Sequence, residues 1–237
     1  MAAFLENITP FIGNGTVNEN GEDLETFLDH YNADKYKKPS VTADILVFSY
    51  CGTLTKKLDG LKLLMIKRRN HPCIGMWALP GGFANMQEDL IESARRELEE
   101  ETSLTDVPME QLFTYGEYKR DPRDRVVTTA YIALIEEGTK KAQAGDDAAE
   151  AVWWDVSFQL RKERQFQEKE REVKEEIYQI ILTDQNTMEC ISAVVAKYEN
   201  TSGVLKNTRF QMIETNGIAF DHPRFIVQGL LYLLERI

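Results

Sequence analysis

Residues 81–104 read GGFANMQEDLIESARRELEEETSL, and the fold turns on why Glu97, Glu99, Glu100 and Glu101 crowd one short stretch. Leu90, Ile91, Ala94 and Leu98 recur at helical spacing, so the segment reads as an amphipathic helix entered from a glycine turn. Like charges on neighbouring helical turns cost a few tenths of a kcal/mol per pair. Glu97, Glu100 and Glu101 stand at i, i+3 and i+4, so their carboxylates leave one face while the apolar stripe leaves the other. Two readings follow: a solvated acidic face, or a cluster of oxygen ligands for a hard cation such as Mg²⁺ or Mn²⁺. Gly82 to Leu104 holds seven acids against Arg95 and Arg96, a local net of −5 within a total of −11.

Outward from this helix the pattern turns to strands. VTADILVFSY from Val41 and LKLLMIKRR at 61–69 predict two strands joined by a hairpin loop containing Gly52 and Gly60. Trp77 to Leu79 predicts a strand end, and Pro80-Gly81-Gly82 a tight turn. LFTYGEY at 112–118 and VVTTAYIALIE at 126–136 predict strands around the basic loop KRDPRDR, and AEAVWWDV, ending at Val156, predicts another. Its neighbours Trp153 and Trp154 then face opposite sides. Ser157 to Glu176 is a mixed charge run that predicts a solvated helix with i,i+4 ion pairs or a connector, with a binding arm as the alternative. IYQIIL, MECISAVVAKY and RFQMIE at 209–214 predict an inserted β-hairpin or small subdomain.

At the front, a loose arm precedes Leu24, Phe27, Leu28 and Tyr31, an apolar stripe of about two helical turns. At the back, DHPRFIVQGLLYLLERI predicts a helix with Asp221 placed to cap and Pro223 in its first turn. The expected organisation is an arm and short helix at 1–37, a core at 38–156, a charged connector and inserted β-rich segment at 157–216, and a closing core helix at 217–237.

Composition limits the function classes. A net charge of −11 argues against general binding to nucleic acid or an anionic membrane. No run approaches the roughly 20 apolar residues that span a bilayer, and no signal-like leader is visible. Cys51, Cys73 and Cys190 are too scattered for a disulfide framework or a zinc site, so a cytoplasmic setting is expected. Arg68, Arg69, Arg120, Arg123 and Arg125 offer planar bidentate donors suited to an anionic ligand, or else they offset nearby acids. His71 could reach a phosphate or close a turn, and His30 and His222 read as structural.

The spacing Gly82, five residues, Glu88, seven residues, Arg96-Glu97-Leu98, Glu99, Glu100-Glu101, Thr102, Ser103, Leu104 resembles the signature of the Nudix (MutT-like) hydrolases, G-x5-E-x7-R-E-U-x-E-E-x-G-U with U apolar. Ser103 replaces glycine, where the chain would leave the helix through a left-handed conformation. The likeness continues over about residues 38–156 and 218–237. There KPSVTADILVF, IKRRNHPCIGMWALPGGF, RDPRDRVVTTAYIAL, AGDDAAEAVWWDV and IAFDH resemble the branch of ADP-ribose pyrophosphatases and related regulators of NAD metabolism.

That resemblance implies an α/β (α+β) fold, a mixed β-sheet sandwiched between helices. It implies Mg²⁺, with Mn²⁺ able to substitute, held by Glu97, Glu100, Glu101 and the Gly82 carbonyl, with Glu88 and Arg96 keeping loop and helix in register. A general base would be a signature glutamate or one of Asp146, Asp147 and Glu150. The implied reaction cleaves a nucleoside diphosphate linked to another group, foremost ADP-ribose to AMP and ribose 5-phosphate. Alternatives are a sensor that binds such a ligand without cleaving it, and another nucleotide substrate. The implied partner is thus a small nucleotide derivative and not nucleic acid. Related pyrophosphatases commonly form homodimers, with the arm and the 157–216 segment as candidate contacts here.

Overall fold

The computed structural model describes residues 4–138, 148–168, 171–200, 202, 204 and 207–237, in two units, Met1–Lys38 and Pro39–Ile237. In the first, a single 3-10 turn at Thr9–Phe11 precedes α1 (Leu24–His30), none of whose residues is buried. The Asp23 carboxylate caps α1 by accepting from the Thr26 N–H at 2.9 Å, satisfying one of the donors a helix start leaves open.

The second unit is built on one ten-stranded mixed sheet. Its centre is β1 (Ser40–Tyr50), buried from Thr42 to Ser49, because an apolar run covered on both faces needs no polar alternation. The order in space is β10-β9-β8-β7-β2-β1-β6-β5, and the two short strands β3 and β4 pair with β2 and β1. Among the strand pairs of the described residues, β1 and β6 (Val126–Glu136) run parallel, paired from Ser40↔Val126 to Tyr50↔Glu136, and the others run antiparallel. The others are β2 (Lys62–Arg68), β3 (Trp77–Ala78), β4 (Gly81–Phe83), β5 (Met109–Tyr115), β7 (Ala148–Glu168), β8 (Arg171–Thr183), β9 (Cys190–Asn200) and β10 (Thr208–Asn216).

Among the described residues of this unit, each face of the sheet carries one helix. Against α3 (His222–Leu234), Phe225, Ile226 and Leu230 pack on Leu46, Phe48 and Trp154. Against α2 (Leu90–Thr102), Ala94 and Leu98 pack on Ile45, Val47 and Leu64. Successive residues of β1 serve opposite cores, which is the period-2 alternation of a strand. Trp153 and Trp154 divide in the same way.

Two expectations are corrected. The glycines at 81 and 82 are not a turn but the strand β4, with Gly82 opposite Ala43. Ser157 to Glu168 is neither helix nor connector: β7 runs through the expected boundary at 156 and forms a long hairpin with β8, and β9 and β10 extend the same sheet. The mixed charges that suggested helical i,i+4 pairs are cross-strand partners. Arg164 stands opposite Glu175 and binds it, and Lys174 reaches across to Glu163 at 3.1 Å as well as along its own strand to Glu176 at 2.9 Å. Opposite charges across an antiparallel pair favour the ladder as they would a helix face.

Ser103 closes α2 at φ 60°, ψ 17°, the left-handed geometry that glycine adopts without a steric cost. The side chain is exposed. Ser103→Gly is therefore expected to stabilise the fold by about 0.5–1 kcal/mol, read as a rise in the urea midpoint at unchanged slope.

Candidate active site

The site starts where α2 meets β4. The Gly81 N–H donates to Glu101 Oε2 at 2.8 Å, and a Cβ on Gly82 would stand 2.3 Å from the Glu97 carboxylate. The glycine is thus what lets the helix lay its carboxylates against the strand. Arg96 ties the helix to the approach loop: Nε donates to Glu88 at 3.1 Å, Nη1 to Glu97 at 2.7 Å and Glu100 at 3.1 Å, and Nη2 to the Phe83 carbonyl at 3.0 Å. Glu88 also accepts from Asn85 at 2.8 Å and Ser93 at 2.9 Å. These bonds, Arg96 first, pull its pKa down to about 2.

Burial acts the other way on the neighbouring acids. It raises the Glu97 pKa and pushes that of Glu101 up to about 8, since a carboxylate out of water lacks the solvation that stabilises its charge. Among the described residues no three His, Cys, Asp or Glu side chains converge to hold a metal ion as they stand. Glu97 and Glu100 share Arg96, and Glu101 turns to Gly81. The donor chemistry nevertheless fits a hard cation. Among the described residues, Glu101 is a largely buried carboxyl group with no cation bonded to it, and Glu97 and Glu100 lie on the same face as carboxylate oxygen donors, with Gly82 allowing Glu97 to approach the strand closely.

Next to this acidic ridge lies a pocket of about 170 Å³. Thr42 and Asp44 of β1 contribute to its lining, as does Arg68 from the end of β2. Asp44 accepts from the Thr128 hydroxyl at 2.5 Å. The loop after β5 adds Arg120, Asp121 and Arg123, and the approach to α3 adds Phe220 and His222. His222 is buried; its Nδ1 accepts from the Leu79 N–H at 3.0 Å while Nε2 lies 3.7 Å from Asp44. Burial pushes its pKa down, in keeping with a neutral imidazole.

The five candidate arginines separate. Arg68, Arg120 and Arg123 line the pocket, whereas Arg69 and Arg125 are exposed and outside its lining. Arg120, its side chain 6% exposed, is committed to Asp221 at 3.0 and 3.2 Å. Asp221 therefore stands at the N-cap position but makes no side-chain cap bond. Arg123 forks onto Asp121 at 2.7 and 3.0 Å. Glu150 is exposed, bonded to Lys67 at 3.2 Å and away from the pocket lining; Asp146 and Asp147 lie outside the described residues. Thr42, Asp44, Phe83, Asp121 and Phe220 went unmarked in the sequence, and His222 read only as structural. The one available signal was Asp44, a lone acid within an apolar strand.

A mixed sheet held between two helices, with a glycine strand laid against a glutamate-rich helix, is the architecture of a Nudix domain. The family model described as NUDIX domain matches residues 55–177, and the chain belongs to that family. It is similar to the crystal structure of a MutT/nudix family protein from Enterococcus faecalis, at 30% identity and a TM-score of 0.63, over 89% of this chain and 68% of that one. It is 42% identical over 96 residues to an ADP-ribose pyrophosphatase of Methanocaldococcus jannaschii, covering 40% of this chain and 56% of that protein. It is 38% identical over 113 residues to an ADPR responsive transcriptional repressor, NtrR, of Acinetobacter baylyi, covering 47% and 43%. The chain thus spans about half the length of these two curated relatives.

Proposed function

We propose that this protein is a divalent-metal-dependent Nudix pyrophosphohydrolase acting on a nucleoside diphosphate linked to a second group, with ADP-ribose as its substrate and AMP and ribose 5-phosphate as products. The observation that carries the reading is the seating of Glu97 and Glu101 against the Gly81–Gly82 strand beside a pocket that also presents Arg68 and Arg123. The likeness to an ADP-ribose pyrophosphatase supports the choice of substrate.

Glu97, Glu100, Glu101 and the Gly82 carbonyl are the donors that would hold Mg²⁺ or Mn²⁺. When bound, such an ion supplies charge neutralisation at phosphoryl oxygens and acidification of water. The chain's own groups do the rest. Arg68 and Arg123 offer planar donors to the diphosphate oxygens. Arg96 holds Glu88, Glu97 and Glu100 on one guanidinium, so the ridge keeps its shape despite mutual repulsion. Gly81 orients Glu101 through its N–H.

The test is hydrolysis of ADP-ribose with Mg²⁺ and with chelator, products separated by ion-exchange chromatography. AMP and ribose 5-phosphate should form with the metal and fall to background with excess EDTA; turnover undiminished by EDTA would sink the proposal. The 38% identity to an ADPR responsive repressor favours one second reading, a sensor that binds ADP-ribose without cleaving it. Saturable binding with no AMP released would select that reading.

A further inference from the structure

Three consecutive residues at the entrance of α3 each brace a different wall of the pocket. Asp221 holds Arg120, and His222 holds the Leu79 N–H. Phe220 does neither: its ring lies 4.9 Å from the Arg68 guanidinium carbon and 5.8 Å from that of Arg123. Arg123 also lies 5.2 Å from the ring of Phe83, so it is flanked by two aromatic rings while its edge is fixed by Asp121. The Phe220 backbone has φ 51°, a conformation that bulky residues rarely adopt and that a surrounding structure must enforce.

Among the described residues Arg68 makes no ion pair; its Nε donates to the Pro72 carbonyl at 2.8 Å. Burial, and after it the neighbouring Arg123, lowers its pKa. Two guanidiniums therefore sit near each other in the pocket, sharing an aromatic ring. An aromatic face attracts a cation without neutralising it, so the ring holds Arg68 in place yet leaves its charge for a ligand. Arg123 shares its charge with Asp121 through Nε and Nη2, which leaves its remaining N–H donors for the same ligand.

We propose that Phe220 is a positioning residue, whose ring spaces Arg68 and Arg123 as a clamp for the anionic oxygens of a diphosphate group. The inference rests on the reading of the pocket given under Proposed function, and deepens it by naming the residue that sets the spacing of its two arginines. Phe220 acts through the arginines and touches no reacting atom, so its loss falls on binding and spares the chemical step.

The experiment compares the parent with Phe220→Leu, Phe220→Tyr, Arg123→Gln and the double variant Phe220→Leu/Arg123→Gln. Calorimetric titration with inorganic pyrophosphate gives Kd, and ADP-ribose hydrolysis with Mg²⁺ gives KM and kcat. Phe220→Leu is expected to raise both Kd and KM by about tenfold, with kcat changed by less than about threefold, because ground-state anion contacts alone are weakened. Tyr keeps the ring and should restore parental Kd to within about twofold. The double variant should bind pyrophosphate more weakly than Arg123→Gln alone, since Phe220 still places Arg68, but by less than the product of the two single losses, because interacting residues are non-additive. Pyrophosphate binding unchanged in Phe220→Leu, a loss confined to kcat, or full additivity with Arg123→Gln overturns the proposal. If the Leu variant loses its cooperative melting transition, the Tyr variant decides: parental Kd supports the clamp, and a tenfold loss despite the retained ring overturns it. A parent that binds pyrophosphate but cleaves no ADP-ribose refutes the enzymatic reading alone, and the Kd series still tests Phe220.

Discussion

Replacing Glu101 by Gln is expected to cut metal-dependent hydrolysis of ADP-ribose by about 10³-fold or more, with the protein still folded. Glutamine is nearly isosteric and its carbonyl can still accept from the Gly81 N–H, which Glu101 holds at 2.8 Å, so the contact between α2 and β4 survives. What disappears is the capacity to carry a negative charge at the most deeply buried carboxyl of the ridge, the one whose pKa burial lifts to about 8. In the metal-free parent that pKa leaves the group mainly as the neutral acid at pH 7, which a neutral amide replaces without a new buried charge, so the metal-free variant should melt no lower than the parent. A loss of 10³ in rate corresponds to about 4 kcal/mol of transition-state stabilisation, within reach of one ligand to a catalytic cation. Glu100→Gln should also abolish turnover. Glu100 is 57% exposed and bonded to Arg96, so that change should hardly move the melting temperature. Calorimetric titration of Mg²⁺ and steady-state kinetics check both variants; a Glu101→Gln protein with parental kcat and parental Mg²⁺ uptake would remove the ridge from the mechanism.

These residues were legible because their chemistry and spacing are local. From Gly82 to Glu101 the chain turns only once, and i, i+3, i+4 spacing fixes which side chains share a face. The other wall was not legible for the opposite reason. Asp44 meets His222 at 3.7 Å, and Arg68 meets Phe220 at 4.9 Å, contacts made by the sheet order and by α3 returning to the pocket. No window of sequence contains them. The arginines illustrate the same limit: all five look alike in the chain, yet Arg120 is spent on Asp221 and Arg123 is flanked by rings. The hairpin of β7 and β8 failed differently. Arg164 and Glu175 carry a genuine charge complementarity, but a mixed charge run does not say whether its partner is four residues away or across a ladder. Tyr178, Ile180 and Leu182 alternate with half-buried neighbours in β8, within the IYQIIL that already read as a strand, so the failure was confined to the charged stretch before it.

Gly81→Ala is expected to destabilise the fold by about 3 kcal/mol or more, whereas Gly82→Ala should leave it stable and inactive. At Gly81 the backbone has φ 152°, and an added Cβ would lie 2.3 Å from the Ala43 carbonyl oxygen and 2.8 Å from the Asp44 Cα. Both obstacles are backbone of β1, the most buried strand of the sheet, and cannot rotate aside. Relief requires β4 to lift from β1, breaking the pairing Gly81↔Asp44 and moving the N–H that orients Glu101. Backbone strain and overpacking each cost about 1–3 kcal/mol. For a chain of this size 3 kcal/mol lowers Tm by about 6–12 °C. At Gly82 the obstacle is the far end of a flexible side chain, the Glu97 carboxylate at 2.3 Å, which can swing away. The cost then falls on function: Glu97 leaves its seat beside the strand, and metal-dependent turnover should fall by about 10²-fold or more, in proportion to the geometric demands of a catalytic constellation. Thermal melts paired with the ADP-ribose assay separate the two glycines. If Gly82→Ala lost as much stability as Gly81→Ala while its folded fraction kept parental activity, the close seating of Glu97 against this strand would have no catalytic meaning.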